Sequence, residues 1–304
     1  MLSALKKVPS WIRQVPKKLN LCYRVVRAPY FKWVGPGHFY SPLPDMAEVA
    51  RRSAVIYAPA AATLPGIDLR PENQARWLEE FEADYDHLPF DRAHNPQARF
   101  ARPNGSFPYQ DALALHGMIK HFRPARLVEA GSGSSSCVIM DTCEALGLST
   151  RLTFIEPYPE TLLARVRSED LRRFELKKDL IQNIDPALFS SLQADDILFI
   201  DTSHVTKAGS DVNFIVFEIL PLLKPGVVVH FHDIFYPFEY PKEWLFKGIF
   251  WNEAYLLRAF LMFNPSFEIL LFNGYLNHFM SERIRSRMPL CALEPGASIW
   301  LRKV

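Results

Sequence analysis

In the stretch FIDTSHVTK, residues 199–207, an apolar run meets an acid, Asp201, and a histidine, His204, follows three positions later. A buried strand has no use for a carboxylate, so Asp201 either ends a strand at a chemical site or opens a turn. A second apolar run, VVVHFHD, closes in the same way on Asp233. On a strand, His230 and His232 point to one face and Asp233 to the other, but a twist at the strand's end lets His232 and Asp233 reach a common ion. Two carboxylates brought together at neighbouring strand ends repel unless a cation or a proton intervenes, which is the physical motive for a divalent metal. A third feature is VEAGSGSSS, where a strand ends at Glu129 and glycines 131 and 133 let the backbone pass close to a ligand before a helix begins. It is neither GxGxxG nor a GK[ST] loop, so a phosphate cradle is unsupported, and a plain strand-to-helix turn is the alternative. The next strand ends FIEP, and Glu156 stands where a carboxylate would hold a ribose diol in a doubly wound sheet.

The elements that must position these groups are legible as an alternation. From about residue 107 onward, apolar strands (ARLVEA, RLTFIEP, RFELKKD, DILFID, PGVVVHFHDIF) alternate with helices (DALALHGMIKHF, SSSCVIMDTCEALG, YPETLLARVRS, DPALFSSL, SDVNFIVFEILPLL). Such an order predicts an α/β chain with a doubly wound, Rossmann-like sheet, mostly parallel and covered on both faces. FEILLFN and SIWLRKV read as two strands with no helix between them, an antiparallel closing pair. Residues 1–104 are rich in proline and aromatics and weak in periodicity, and read as an irregular lid or oligomerisation segment, which makes a homo-oligomer the expected assembly. One helix stands out there, with Trp77, Phe81 and Tyr85 on a single stripe.

The residues EAGSGSSS, FIEP, DILFIDTSH and LLKPGVVVHFHD, together with the closing strands, resemble the class I S-adenosylmethionine-dependent methyltransferases over residues 105–304. The resemblance implies that Glu129, Gly131, Ser132 and Gly133 contact the methionine part of S-adenosylmethionine, Glu156 its ribose, and Asp179 or Gln182 its adenine. The strand-end acids are similar to those of the metal-dependent O-methyltransferases, including the macrolide-sugar and cephalosporin-hydroxylase-like groups. By that similarity Asp201, His232 and Asp233 would hold a divalent metal and His204 would be the general base. His232 departs from the acid or amide usual there, and imidazole suits manganese, iron or zinc better than magnesium. The expected activity is methyl transfer to a hydroxyl of a small polar acceptor, such as a sugar or a natural-product glycoside. The competing readings are a metal hydroxylase or hydrolase on the same scaffold and a non-catalytic cofactor-binding scaffold. Tyr109, Tyr240 and Trp251, with Phe107 and Tyr236, are aromatics that could shape the acceptor site.

The bulk numbers bound the rest. With 304 residues, 49% of them hydrophobic, the chain can bury a large core. Its 35 basic and 33 acidic side chains leave a net charge of +2, which argues for no nucleic-acid partner. The charge is uneven, since Lys6, Lys7, Arg13, Lys17, Lys18, Arg24, Arg27 and Lys32 all precede the first acid, Asp45. That basic arm is either solvated or a peripheral contact with a membrane or an acidic partner. Four cysteines without a CxxC pair suggest a reducing cytoplasm, and neither a signal-peptide core nor a transmembrane run is present in the sequence.

Overall fold

The computed structural model describes residues 33–92 and 95–304, together with positions 19 and 23. The chain divides into two units, Met1–Ala58 and Pro59–Val304. The eight basic positions from Lys6 to Lys32, on which the expectation of a membrane contact rests, lie outside the described residues. In the first unit, residues 33–45 form a run of turns in which Trp33 stacks on Tyr40. Asp45 then caps the helix Met46–Arg51, accepting from the Ala47 amide at 2.8 Å.

The second unit is built on one seven-stranded sheet: β1 (Arg126–Ala130), β2 (Arg151–Ile155), β3 (Phe174–Lys177), β4 (Ile197–Ile200), β5 (Val228–His232), β6 (Phe267–Phe272) and β7 (Ser298–Lys303). The order is β3-β2-β1-β4-β5-β7-β6. The first five strands run parallel, and β7 lies antiparallel to both β5 and β6. Every residue of β4 and β5 is buried, as expected of central parallel strands that read as continuous apolar runs rather than alternating ones. Strand order reverses between β1 and β4, and the crevice outside the carboxyl ends there is where a doubly wound sheet binds ligands.

Four helices matter to the site: α1 (Pro71–Asp84), α2 (Tyr109–Phe122), α3 (Ser134–Ala145) and α4 (Glu253–Leu261). Of the apolar stripe read from Trp77, Phe81 and Tyr85, the first two are buried, while Tyr85 is half-buried and lies just beyond the helix in the 3₁₀ segment Tyr85–His87. Gln74 of α1 fastens this helix to the sheet by accepting from the Phe272 amide at 2.9 Å, and Asn73 donates to the Leu270 carbonyl at 3.1 Å. Phe81 packs against Gly117 of α2 so closely that a Cβ there would lie 2.4 Å from its ring. Between α1 and α2, buried Arg99 pairs with Asp141 of α3 at 2.7 Å, with Glu144 at 2.6 Å and with Asp170 at 2.5 Å. A guanidinium with its donors filled by carboxylates tolerates such burial, and it ties residues 98–100 to the helix that follows the glycine turn.

Some helical readings need correction. YPETLLARVRS forms one turn, Glu160–Leu163, and then a 3₁₀ segment, Ser168–Arg172, because Asp170 turns inward under Arg99. SDVNFIVFEILPLL breaks into an α turn, a π segment and a 3₁₀ turn ending at Leu222, where Pro221 lacks the N–H an α-helix needs. Between β6 and β7, where no helix was expected, lie three helical segments, Asn273–Phe279, Ser281–Arg287 and Pro289–Leu293. Their buried Ile284, Met288 and Cys291 follow helical spacing.

His116 of α2 is buried, with Nδ1 3.1 Å from the Thr142 hydroxyl. Burial lowers its pKa to about 4, with Asp84 opposing. The unfolded chain therefore takes up this proton first, so the contribution is intact above pH 6.5 and is lost as pH falls towards 4. The loss is roughly 2 kcal/mol by pH 5 for an ordinary unfolded-state histidine. Urea unfolding at pH 7 and pH 5 should show a smaller drop for His116→Asn than for the wild type; an equal drop would refute the assignment.

Candidate active site

The glycine turn meets β4 at the sheet's rim. Gly131 has φ +83°, and a Cβ there would fall 1.6 Å from the Asp201 carbonyl oxygen, so only glycine lets the exits of β1 and β4 lie this close. A Cβ at Gly133 would meet only Thr161, at 3.8 Å. Glu129 is fully buried beneath the turn and accepts from the hydroxyls of Ser135, at 2.6 Å, and Ser136. Burial raises its pKa to about 8 against those hydrogen bonds, with the charge of Asp201 adding to the rise. Glu156 reaches back from the end of β2, accepting from the Ser132 amide at 3.1 Å and the Tyr158 amide at 2.8 Å.

Three adjoining cavities follow this rim. One of about 530 Å³ is lined by Gly131, Glu156, Ile181, Gln182, Thr202 and Lys207, among others. A second of about 300 Å³ lies over Gly131 to Ser135 and Glu156. The third, about 650 Å³, is walled by Phe107, Trp244, Ile249 and Trp251, with Asp201, His204 and Asp233 at its polar end. Asp201 lines all three. In the first cavity the Gln182 Oε1 and Thr202 Oγ1 atoms are buried without a hydrogen-bond partner. Buried polar atoms are normally paired, so these mark where a polar ligand would be received.

At the polar end of the third cavity, the largest of these three, carboxylates and imidazoles converge. His204 Nε2 stands 3.3 Å from Asp201 Oδ1 and 3.7 Å from Asp233 Oδ2. His232 Nδ1 stands 3.5 Å from the same Asp201 oxygen and 3.6 Å from the same Asp233 oxygen. Asp233 reaches this position because its backbone turns left-handed, φ +54°, directly after β5. One ligand atom each from Asp201, His204 and Asp233 lie within 4.8 Å of one another, a spacing that could hold a metal ion. Each imidazole has a buried carboxylate on its other nitrogen: Glu253 Oε2 is 2.8 Å from His204 Nδ1, and Asp111 Oδ2 is 3.4 Å from His232 Nε2. Burial disfavours charge on His204, but hydrogen bonds to Asp201 and Glu253 outweigh it and raise the pKa to about 10. For His232 burial is likewise outweighed, by the charges of Asp201 and Asp233, and the pKa lies well above the ordinary value. Burial alone would raise the pKa of Asp201, yet the charge of His232 and the hydrogen bond from His204 hold it well below the usual carboxylate range.

The structure thus brings together Asp201, His204, His232 and Asp233, and sets Gly131, Ser132, Gly133, Glu156 and Gln182 along the adjoining cavities. Asp179 is exposed and caps its own loop, accepting from the Leu180 amide and the Asn183 side chain at 2.7 Å, and lines none of the three cavities. Of the aromatics, Trp251 lines the largest cavity and lies 4.3 Å from the His204 ring. Tyr109 and Tyr240 are buried in the core instead: Arg102 sits over the Tyr109 ring, and the Tyr240 hydroxyl accepts from the Ala254 amide. Sequence reasoning missed Glu253, Asp111 and Trp244. The signal for the two acids was available, since each is a lone carboxylate opening an apolar helix, in NEAYLL and PYQDALAL.

Residues 128–234 match the family model of a methyltransferase domain. A protein of Archaeoglobus fulgidus described only as uncharacterized is 37% identical over 165 residues, which cover 52% of this chain and 73% of that one. The chain carries a methyltransferase domain. The matched segment of this methyltransferase runs from β1 to just beyond β5 and holds the glycine turn, Glu156 and all four converging side chains. Among solved structures, the O-methyltransferase TomG from Streptomyces achromogenes, in complex with SAM, is 14% identical, with a TM-score of 0.46 over 76% of this chain and 98% of that one. The CmcI-N160 apo-structure is 18% identical, with a TM-score of 0.40 over 64% of this chain and 71% of that one. Scores that low carry no weight beside the strand order. Among the described residues, no helix is long and apolar enough to cross a membrane.

Proposed function

We propose that this methyltransferase moves the methyl group of S-adenosylmethionine to a hydroxyl of a small polar acceptor. The single observation that carries this reading is the position of Asp201, common to the three cavities. The two smaller cavities follow the glycine turn, Glu156 and Gln182, where a nucleoside with an amino-acid tail would lie, and the unpartnered Gln182 Oε1 and Thr202 Oγ1 fit its polar edges. The largest cavity would take the acceptor. Its Phe107, Trp244 and Trp251 offer faces to a ring, while Asp201 and Asp233 offer acceptors to hydroxyls, a combination that suits a sugar or a natural-product glycoside.

Asp201 and Asp233 could also hold a divalent cation; the spacing that fits one includes His204, but His232 Nδ1 faces the same two oxygens, and with His232 in the third position His204 stays free. A cation bound there would supply positive charge that lowers the proton affinity of an acceptor hydroxyl and of His204 alike. His204 is the side chain placed to take the hydroxyl proton, since Nε2 faces both aspartates and the largest cavity. With the aspartates and Glu253 unneutralised, however, its pKa of about 10 keeps it protonated at neutral pH and unable to act as a base. Charge neutralisation at Asp201 and Asp233 is therefore a condition of this proton transfer.

Calorimetry combined with transfer of a labelled methyl group tests the reading. The expected result is S-adenosylmethionine binding that survives chelation of divalent cations and methyl transfer that does not. Cation binding without any affinity for S-adenosylmethionine would overturn it.

A further inference from the structure

Glu253 is a buried carboxylate, 1% exposed, whose Oε2 lies 2.8 Å from His204 Nδ1 and whose Oε1 has no hydrogen-bond partner. A carboxylate that merely stabilised the fold would have both oxygens satisfied, because a half-paired buried acid costs stability. The residues beside it converge on the same loop. The His204 carbonyl accepts from the amides of Asn252, at 3.1 Å, and Glu253, at 3.2 Å. The Asn252 side chain accepts from the Thr206 amide at 2.5 Å and donates to the Thr206 carbonyl at 3.2 Å. His204 itself is held in the left-handed region, φ +58°, and the Trp251 ring covers its imidazole. A non-glycine residue persists in that conformation only where its surroundings over-determine it. Residues 251–253 supply that constraint, through ring, amides and carboxylate.

We propose that Glu253 is a positioning residue: it holds the His204 ring so that Nε2, and not Nδ1, faces Asp201, Asp233 and the acceptor cavity. The purpose of this hold rests on the methyl-transfer reading, whereas the hold itself does not. A proton-accepting histidine works through one nitrogen while a third group fixes the other, and the comparable partners behind metal-bound histidines are worth about 10–100-fold in affinity or activity.

The test uses the full chain with nitrogen-15-labelled histidine, followed by NMR of the ring nitrogens without cofactor or acceptor, alongside kinetics. In the wild type the His204 Nδ1 proton should be protected from exchange with water. Glu253→Leu should lose that protection, and kcat should fall about 100-fold with KM for S-adenosylmethionine unchanged. Glu253→Gln, which keeps an acceptor oxygen, should restore the protection and recover at least about tenfold of the loss. A folded leucine variant with a protected Nδ1 proton or wild-type kcat overturns the proposal. So does a glutamine variant as impaired as the leucine one, with cofactor binding lost in both, since that pattern is structural. If the leucine variant does not fold, an unprotected Nδ1 proton in the wild type overturns the proposal by itself. A wild type with the protected proton but no methyl transfer supports the hold of Glu253 on His204 and sinks the methyl-transfer reading, so the two failures are distinguishable.

Discussion

Asp201→Ala should reduce methyl transfer by on the order of 10³-fold or more, the scale set by removing a pre-arranged charge from an active site. The carboxylate faces His204 at 3.3 Å and His232 at 3.5 Å, and it borders the cavities assigned to cofactor and acceptor alike. Its loss removes the carboxylate that faces both imidazoles from the cavity side and one of the two acids available to a cation. Stability should fall as well, because the buried imidazoles of His204 and His232 lose a carboxylate that compensates their charge, although the substitution keeps the hydrogen bond from the Asp201 amide to the Ala130 carbonyl and removes no apolar packing. Turnover, S-adenosylmethionine affinity and a urea denaturation curve measured on one preparation decide the matter. Normal turnover in a folded variant means that the site is elsewhere.

Gly131→Ala should act in the opposite way, through the scaffold. The added methyl would sit 1.6 Å from the Asp201 carbonyl oxygen, at a backbone with φ +83°. The left-handed conformation alone costs about 1–2 kcal/mol for an L-residue, and separating the exits of β1 and β4 adds to it. The expected destabilisation is about 3 kcal/mol or more, with S-adenosylmethionine binding lost because the rim no longer closes. Gly133→Ala is the control, since its Cβ meets only Thr161 at ordinary contact distance. It should cost far less stability, so any affinity it loses reports crowding of the ligand and not damage to the sheet. Equal denaturation midpoints for the two variants would show that the close approach of β1 and β4 is not what makes Gly131 necessary.

The fold was legible in the sequence because strands buried on both faces have no polar alternation to obscure them. The seven runs recognised as strands are the seven strands of the sheet, and the antiparallel closing pair follows from the last two. Helices were harder, because their ends depend on contacts from far along the chain. The segment after Glu160 is cut short by the pull of Arg99 on Asp170, a contact across 71 residues that no local pattern reports. The helical segments between β6 and β7 were hidden for another reason: their apolar positions are sparse and separated by arginines.

The site shows the same division. Asp201, His204, His232 and Asp233 stood out in the sequence, because an acid or imidazole at the end of an apolar run is expensive to bury and therefore conspicuous. Aromatic side chains carry no such mark. Tyr109, Tyr240 and Trp251 are chemically alike, and only packing put Trp251 on the cavity wall and the two tyrosines in the core. The sequence by itself determined which strands form and which reactive groups stand at their ends, since both follow from local pattern and the cost of burying charge. Only the tertiary structure decided that Asp201 and Asp233 share two histidines, and that Glu253 and Asp111 stand behind those rings. The physical reason is that direction and partnership are properties of space. A carboxylate 49 residues away from His204 in the chain becomes its neighbour only when α4 is laid against the loop after β4.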